Sequence, residues 1–315
     1  MTAQLRLCGI AVNWHDEERL QRLVEAWPED DSCELIILDN GSTEPLPEGV
    51  EVLALGRNFG FAGAVNLGLQ QTRATLVLVM NSDVCPRPDA IESLIHGFDL
   101  WPDAVALAPR MVGHDGSSQA GWQLRPLPSL TTLLLQALLL PATGEVSSEP
   151  GTGALLEQPA AAALAFRRDA LLELGGFDEA FFPAWFEDVD LAKRMTDAGM
   201  PIRYCPEAEF QHQLGSSIPR LGYGGFLRIY YSNLCRYLRK HHGRFWAGLA
   251  RVLLIPASLL RLALVPLRRP RRASTRREAA RGLWWLALGA MTGWSYPDAT
   301  VYPGGAQPTP DGPHR

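Results

Sequence analysis

Over its first 110 residues the chain alternates short apolar runs with stretches of helical spacing, and this alternation restricts the fold more than any other feature. Residues 5–14 read as a buried strand, and 18–27 as a helix with Leu20, Leu23, Val24 and Trp27 on one face. A second apolar run, 34–38, closes on the turn signal Asp39-Asn40-Gly41-Ser42. Strands at 50–55, 75–80 and 104–108 and helices at 62–71 and 88–100 continue the series. Repeated β-α-β units predict an α/β fold with a mainly parallel central sheet and helices on both faces. Ligands in such sheets bind beyond the carboxyl ends of the strands, where Asn13, Asp39 and Asp83 fall.

The middle of the chain is less regular. Residues 130–140 read as an apolar helix, 141–153 as a polar linker and 160–174 as a return to helical spacing. Charge then divides the chain. Residues 1–235 carry 15 Lys and Arg against 31 Asp and Glu, whereas residues 236–281 carry 13 Lys and Arg against Glu278 alone. The basic stretch is interleaved with apolar runs at 249–267 and 283–294, the first broken by Arg251, Pro256 and Arg261. Those interruptions argue against an uninterrupted spanning helix and for C-terminal amphipathic helices in the headgroup region of anionic lipid. The alternative is a pair of helices packed on the main domain with their arginines in water. Tryptophans and leucines in this region favour lipid over nucleic acid. The expected organisation is a domain over 1–240, a basic membrane-associating region over 241–296 and a disordered Pro/Gly-rich tail over 297–315. The five scattered cysteines lack CxxC spacing and fit a reducing compartment. No basic leader precedes an apolar run at the N-terminus, so no signal peptide is expected.

The acids Glu187, Asp188 and Asp190 directly follow Phe181-Phe182-Pro183-Ala184-Trp185-Phe186. Charge beside such aromatics is expensive, but a carboxylate poised there suits removal of a proton from a hydroxyl. Helical spacing over 187–198 puts all three acids in a first turn, where complementing the helix dipole is the alternative explanation for at least one of them.

Six motifs occur in a fixed order over residues 5–240. They are Val12-Asn13-Trp14; Ile37-Leu38-Asp39-Asn40-Gly41-Ser42-Thr43; Arg57-Asn58-Phe59-Gly60-Phe61-Ala62-Gly63-Ala64-Val65-Asn66; Val79-Met80-Asn81-Ser82-Asp83-Val84; residues 175–191; and His212-Gln213-Leu214-Gly215-Ser216-Ser217. Together they resemble family 2 glycosyltransferases, and within these the rhamnosyltransferase and galactofuranosyltransferase-like branch. The resemblance implies a GT-A (nucleotide-diphospho-sugar transferase) fold, a dTDP- or UDP-linked sugar donor, Mg2+ or Mn2+, and inversion at the anomeric carbon.

Asp83, ending an apolar strand, suits a hard cation bridging two phosphates; the alternative is ordinary turn chemistry. Asn81 stands where the family's DxD motif has its first aspartate. Asp39 suits hydrogen bonding to a pyrimidine base, or else an Asx-turn, and Asn13 lines the same pocket or caps its strand. In the glycine-bearing loop entering the next helix, Arg57 suits the diphosphate and Asn58, Gly63 and Asn66 the sugar. The resemblance implies that Asp188 is the general base and that His212 joins Asp83 at the metal. Gly215-Ser216-Ser217 beside His212 suit a flexible segment that closes over the diphosphate. Trp185, Glu187 and Asp190 are assigned to the acceptor; His241 reads as surface. The expected reaction is sugar transfer to a saccharide or polyprenyl-linked acceptor in cell-surface polysaccharide synthesis, in the cytoplasm at the inner face of the cell membrane. A sugar nucleotidyltransferase and a non-catalytic nucleotide-binding module are the alternatives. Residues 158–162 depart from the family's pattern, which points to a different acceptor pocket.

Overall fold

The computed structural model describes residues 5–42, 52–141, 148–213 and 218–294. The disordered-tail expectation, the 215–217 segment and the core of the 141–153 linker therefore lie outside the described residues. In chain order the elements are β1 (Leu7–Asn13), α1 (Glu17–Ala26), β2 (Cys33–Asp39), β3 (Val52–Ala54), α2 (Gly60–Gln71), β4 (Leu76–Asn81), β5 (Val84–Pro86), α3 (Ala90–Leu100) and β6 (Ala106–Val112). Next come α4 (Ala120–Gln123), β7 (Leu124–Arg125), α5 (Leu130–Ala137), β8 (Leu155–Leu156), β9 (Gln158–Pro159), β10 (Ala163–Arg167), α6 (Arg168–Glu173) and α7 (Glu187–Asp197). The chain closes with β11 (Ile202–His212), α8 (Ile218–His241), α9 (Arg244–Leu264) and α10 (Arg276–Thr292).

Nine strands form one sheet, ordered β3-β2-β1-β4-β10-β6-β11-β5, with β8 also on β11. The β3-β2-β1-β4 block is parallel, as is β6 with β11, while β10 runs antiparallel between β4 and β6. Burial on both faces makes the central strands β1 and β4 apolar runs whose alternate residues feed different cores. Ile10 and Val12 join Val77, Val79 and helix α2 on one side, with Leu171 and Leu191. Leu7 and Ala11 join Leu76, Leu78, Met80 and helices α1 and α3 on the other.

Residues 160–174 depart from the expected helix. Ala163–Arg167 is strand β10, and only Arg168–Glu173 is helical. Leu164 and Phe166 enter one core and Ala163 and Ala165 the other, a period of two set by the strands on either side.

Helices α5, α8, α9 and α10 form a third core that includes Phe181 and Phe186. α8 is broken at Gly222 (φ 66°), and the Glu278 carboxylate accepts from the Tyr223 N–H at 2.7 Å where it resumes. α8 and α10 touch at glycines: a Cβ on Gly282 would stand 3.0 Å from the Gly224 Cα, and one on Gly224 3.3 Å from the Gly282 Cα, so a side chain at either would push the helices apart by a few tenths of an ångström. Helix α9 continues through Pro256, contrary to the expected interruption, and is long and apolar enough to cross a membrane. Its Ala250, Leu254 and Ser258 are buried, and Arg251 donates to the Ala290 carbonyl of α10 at 3.0 Å.

Candidate active site

Strands β1, β2 and β4 all end at the same edge of the sheet, and a cleft of about 240 Å³ opens there. Its lining includes Trp14, Asn40, Asn58, Asn81, Ser82, Asp83, Trp122, Trp185, Glu187 and Asp188. Thus the strand-end polar residues and the acids of α7 face one space.

The first wall is a locked turn. Asn13 is fully buried; its Nδ2 donates to Asp39 Oδ1 and Ser42 Oγ, each at 3.2 Å. The Ser42 N–H also donates to Asp39 Oδ1, at 3.4 Å. One oxygen of Asp39 therefore serves the turn, and Asn13 and Asp39 stand behind the lining rather than in it. Asn40, which sequence reasoning passed over, donates to Asn58 Oδ1 and the Gly60 carbonyl at 3.2 Å and accepts from the Phe59 N–H at 2.8 Å. Asn40 and Asn58 so tie two strand-end loops together while facing the cleft.

Three residues assigned to the donor lie elsewhere. The Arg57 guanidinium lies 4.4 Å over the Phe59 ring, outside the lining. Asn66 donates to the Phe177 carbonyl at 2.8 Å and to Glu179 at 2.9 Å, and accepts from the Phe177 N–H at 3.0 Å. Gly63, three residues earlier on α2, lies beneath Phe59 and near Glu179. Both α2 residues serve helix-to-loop packing: they pin the segment that leads to the acids, because an asparagine amide matches a backbone N–H and C=O together.

At the far end of β4, Asp83 meets His212. Strand β11 pairs with β5 so that His212 is opposite Val84, and His212 Nε2 lies 3.7 Å from Asp83 Oδ1. The Gln119 amide fixes the imidazole: its Nε2 donates to the His212 carbonyl at 2.9 Å, which turns its Oε1 to Nδ1 at 2.8 Å. Nδ1 then carries the proton and Nε2 presents a lone pair toward the carboxylate. Burial lowers the His212 pKa despite Asp83 nearby, so the ring is neutral at pH 7. Two electron-pair donors 3.7 Å apart, Asp83 in the cleft lining and His212 buried behind it, fit a hard cation completed by phosphate oxygens and water. Among the described residues no group of three His, Cys, Asp or Glu side chains is assembled for a metal. Gln119 and the Trp122 ring, 5.0 Å from the His212 ring, carry no sequence signal of this role.

On the opposite wall α7 begins at Glu187, with Phe186 at its N-cap. Trp185 and Phe186 both adopt left-handed backbone (φ 68° and 75°), a conformation rare for bulky residues. This turns Glu187 and Asp188 into the cleft. Asp188, half-buried, accepts from the Val189 N–H at 2.8 Å and from Gln158 Nε2 at 3.4 Å. Burial raises its pKa, opposed by the Val189 N–H and by the charge of Arg125. Glu187 is buried; burial and the Asp188 charge push its pKa well above the usual range, and its Oε2 has no hydrogen-bond partner among the described residues. Gln158 was legible only as part of the departing 158–162 stretch.

Asp190, assigned to the acceptor, lies outside the cleft lining. It is fully buried and accepts from His241 Nε2 at 2.7 Å and Arg194 Nε at 2.8 Å, with Lys240 Nζ at 2.7 Å. Burial raises its pKa, but these three partners outweigh it and hold the carboxyl below its ordinary value. His241, read from sequence as surface, is thus an internal tie between α8 and α7.

Residues 14–162 match the family model "Glycosyl transferase family 2". The chain is 30% identical over 272 residues to N-acetylglucosaminyl-diphospho-decaprenol L-rhamnosyltransferase of Mycobacterium tuberculosis, spanning 76% of this chain and 86% of the relative. It is 25% identical over 187 residues to O-antigen chain rhamnosyltransferase RfbN of Salmonella typhimurium, spanning 56% of each. In fold it is similar to the mannosyltransferase PcManGT of Pyrobaculum calidifontis, solved with GDP-Man and Mn2+. That match has a TM-score of 0.53 at 14% identity and covers 93% of this chain and 88% of that one. With residues from five of its six motifs lining one cleft at the strand ends of a GT-A sheet, the chain belongs to glycosyltransferase family 2.

Proposed function

We propose that this glycosyltransferase moves a rhamnosyl group from a dTDP- or UDP-linked donor to a saccharide carried on a polyprenyl diphosphate, with inversion at the anomeric carbon. One observation carries the reading: Asp188 and Asp83, from α7 and the end of β4, face the same cleft. The names of the two rhamnosyltransferase relatives support the sugar and the acceptor class.

The two acids of α7 divide the work. Burial raises the pKa of both, and further for Glu187, where the Asp188 charge adds to burial, so Asp188 is the member that gives up its proton first; paired acids pushed apart by their environments take different roles. Asp188 accepts the proton of the acceptor hydroxyl as that oxygen bonds to the anomeric carbon. The bond from that carbon to the donor's phosphate oxygen breaks, and its electron pair leaves with the nucleoside diphosphate. Gln158 and the Val189 N–H orient the base, while Trp185 excludes water on the acceptor side. Asp83 and His212 would hold Mg2+ or Mn2+, which supplies positive charge against the departing diphosphate.

We place the enzyme on the cytoplasmic face of the cell membrane. Phe245, Val252, Leu260, Leu264 and Leu267 on or just after α9, and Trp284 and Trp285 on α10, are exposed. Arg268, Arg269, Arg271, Arg276 and Arg277 lie between them in sequence. Apolar side chains bordered by guanidinium groups suit the headgroup layer of anionic lipid.

The test is binding and turnover of dTDP-rhamnose, UDP-galactofuranose, UDP-glucose, UDP-N-acetylglucosamine and GDP-mannose with and without Mn2+ or Mg2+. Metal-dependent binding of dTDP-rhamnose, lost in Asp83→Ala, is the expected result. Preference for another donor would overturn the sugar, and no binding to any would favour a module without this chemistry.

A further inference from the structure

Two arginines outside the cleft lining flank the acceptor side. Strand β7 pairs antiparallel with β9, setting Arg125 directly opposite Gln158. Directly opposed residues project from the same face of such a pair, and Gln158 reaches Asp188. Arg125 therefore emerges beside the base. On the other flank the aromatic wall runs outward from Trp185 to Phe226, ring centroids 5.2 Å apart, and on to Tyr230 at 5.6 Å. The Arg272 guanidinium, on the connection between α9 and α10, caps this wall 4.6 Å over the Phe226 ring.

Both charges act on the Tyr230 phenol. Burial raises the Tyr230 phenol pKa, and Arg125 and Arg272 each oppose that rise. Among the described residues neither guanidinium has a carboxylate partner, in contrast to Arg110, Arg194 and Arg203, which are all ion-paired. Arg125, from the acidic part of the chain, and Arg272, from its basic part, thus present unneutralised guanidinium forks at the outer end of the acceptor wall. Such forks match phosphate oxygens in planar, multidentate contacts, and stacking on an aromatic ring preorganises the fork.

We propose that Arg125 and Arg272 form a diphosphate subsite on the acceptor side, holding the anionic link between sugar and lipid while the sugar hydroxyl reaches Asp188. The subsite rests on the acceptor reading above. It is distinct from the donor's diphosphate site, which is on the Asp83 side of the cleft. Arg272 sits on the same helical hairpin as the exposed apolar side chains, so the lipid of a bound acceptor would run from the arginines toward the membrane.

The test measures binding of a short prenyl diphosphate, and of the matching prenyl alcohol, to the full chain saturated with dTDP and Mg2+. Wild type, Arg125→Gln, Arg272→Gln and, as an exposed control, Arg73→Gln are compared. Sedimentation with anionic vesicles is run in parallel. The expected result is a loss of at least about tenfold in prenyl diphosphate affinity in each of the two variants. The alcohol, the vesicles and the control should change less than twofold. Unchanged prenyl diphosphate affinity overturns the proposal. A loss seen only with vesicles overturns it too, since the arginines would then read lipid headgroups. If the variants lose affinity yet no donor sugar is ever transferred, the functional reading fails and the subsite stands.

Discussion

The side-chain amide of Asn233 donates to the carbonyl of Trp185 at 3.1 Å, and with this bond α8 holds the loop that aims the base. The same Nδ2 lies 2.9 Å from the Ala184 carbonyl. Asn233 is fully buried. Left-handed backbone at two successive aromatic residues costs on the order of 1–3 kcal/mol each and persists only when neighbours over-determine it. Asn233 is one such neighbour; the Phe61 N–H bond to the Pro183 carbonyl, 2.8 Å, is another.

Asn233→Ala is therefore expected to lower stability by about 1–3 kcal/mol, the cost of orphaned buried carbonyls, and to lower kcat more than donor affinity. Asn233→Asp should behave alike, because a carboxylate has no N–H to give. Kinetics beside thermal unfolding check this; an unchanged kcat in a measurably destabilised variant would reduce Asn233 to packing alone.

Asp190→Asn removes the one carboxylate shared by Arg194, Lys240 and His241. Leaving Arg194 and His241 without this partner, and Lys240 with Asp178 alone, is expected to cost about 3–5 kcal/mol at neutral pH. Because the folded-state pKa of Asp190 is depressed, its contribution is complete above the ordinary carboxylate range and fades as pH falls through the depressed value. The gap in stability between wild type and variant should therefore shrink in acid. Denaturant unfolding at pH 7 and near pH 3 measures it, and a constant gap would contradict the ion-pair account.

Glu187 has the opposite sign. Its folded pKa is raised, so the unfolded chain releases that proton first and the contribution to stability declines as pH rises from the ordinary carboxylate range through the raised value. Glu187→Gln should gain stability relative to wild type across that window. Thermal unfolding at pH 4 and pH 8 reports it. The same burial sets the rate: kcat/KM should rise with pH through an apparent pKa above the ordinary carboxylate range, one that belongs to the Glu187–Asp188 pair.

Trp284 and Trp285 are half exposed on α10. Replacing both by alanine should cut sedimentation with anionic vesicles several-fold and abolish any blue shift of tryptophan fluorescence on vesicle addition. Equal sedimentation of variant and wild type would remove these rings from the membrane face.

The sheet was legible because its strands are apolar runs between turn signals, and those runs put Asp83, Asn58 and Asp188 at the right edge. Partnership was hidden. Asn66 and Asp190 look like ligands in a motif, yet each is consumed by a segment more than 50 residues away, at Phe177 and Glu179 for one and His241 for the other. The alanine-rich stretch at 160–163 reads as helix by propensity, but β4 and β6 on either side draw residues 163–167 into a strand. Gln119, Gln158 and Asn40 orient the site through amide geometry, which leaves no periodic or charged signature.

The central claim is that Asp188 is the proton acceptor, and the most direct measurement is the single-turnover transfer rate of Asp188→Asn beside its donor dissociation constant. The account expects a rate lower by about 10²–10⁴-fold, the usual contribution of a positioned base, with donor affinity within a factor of two. A variant transferring sugar within a fewfold of the wild-type rate would contradict it.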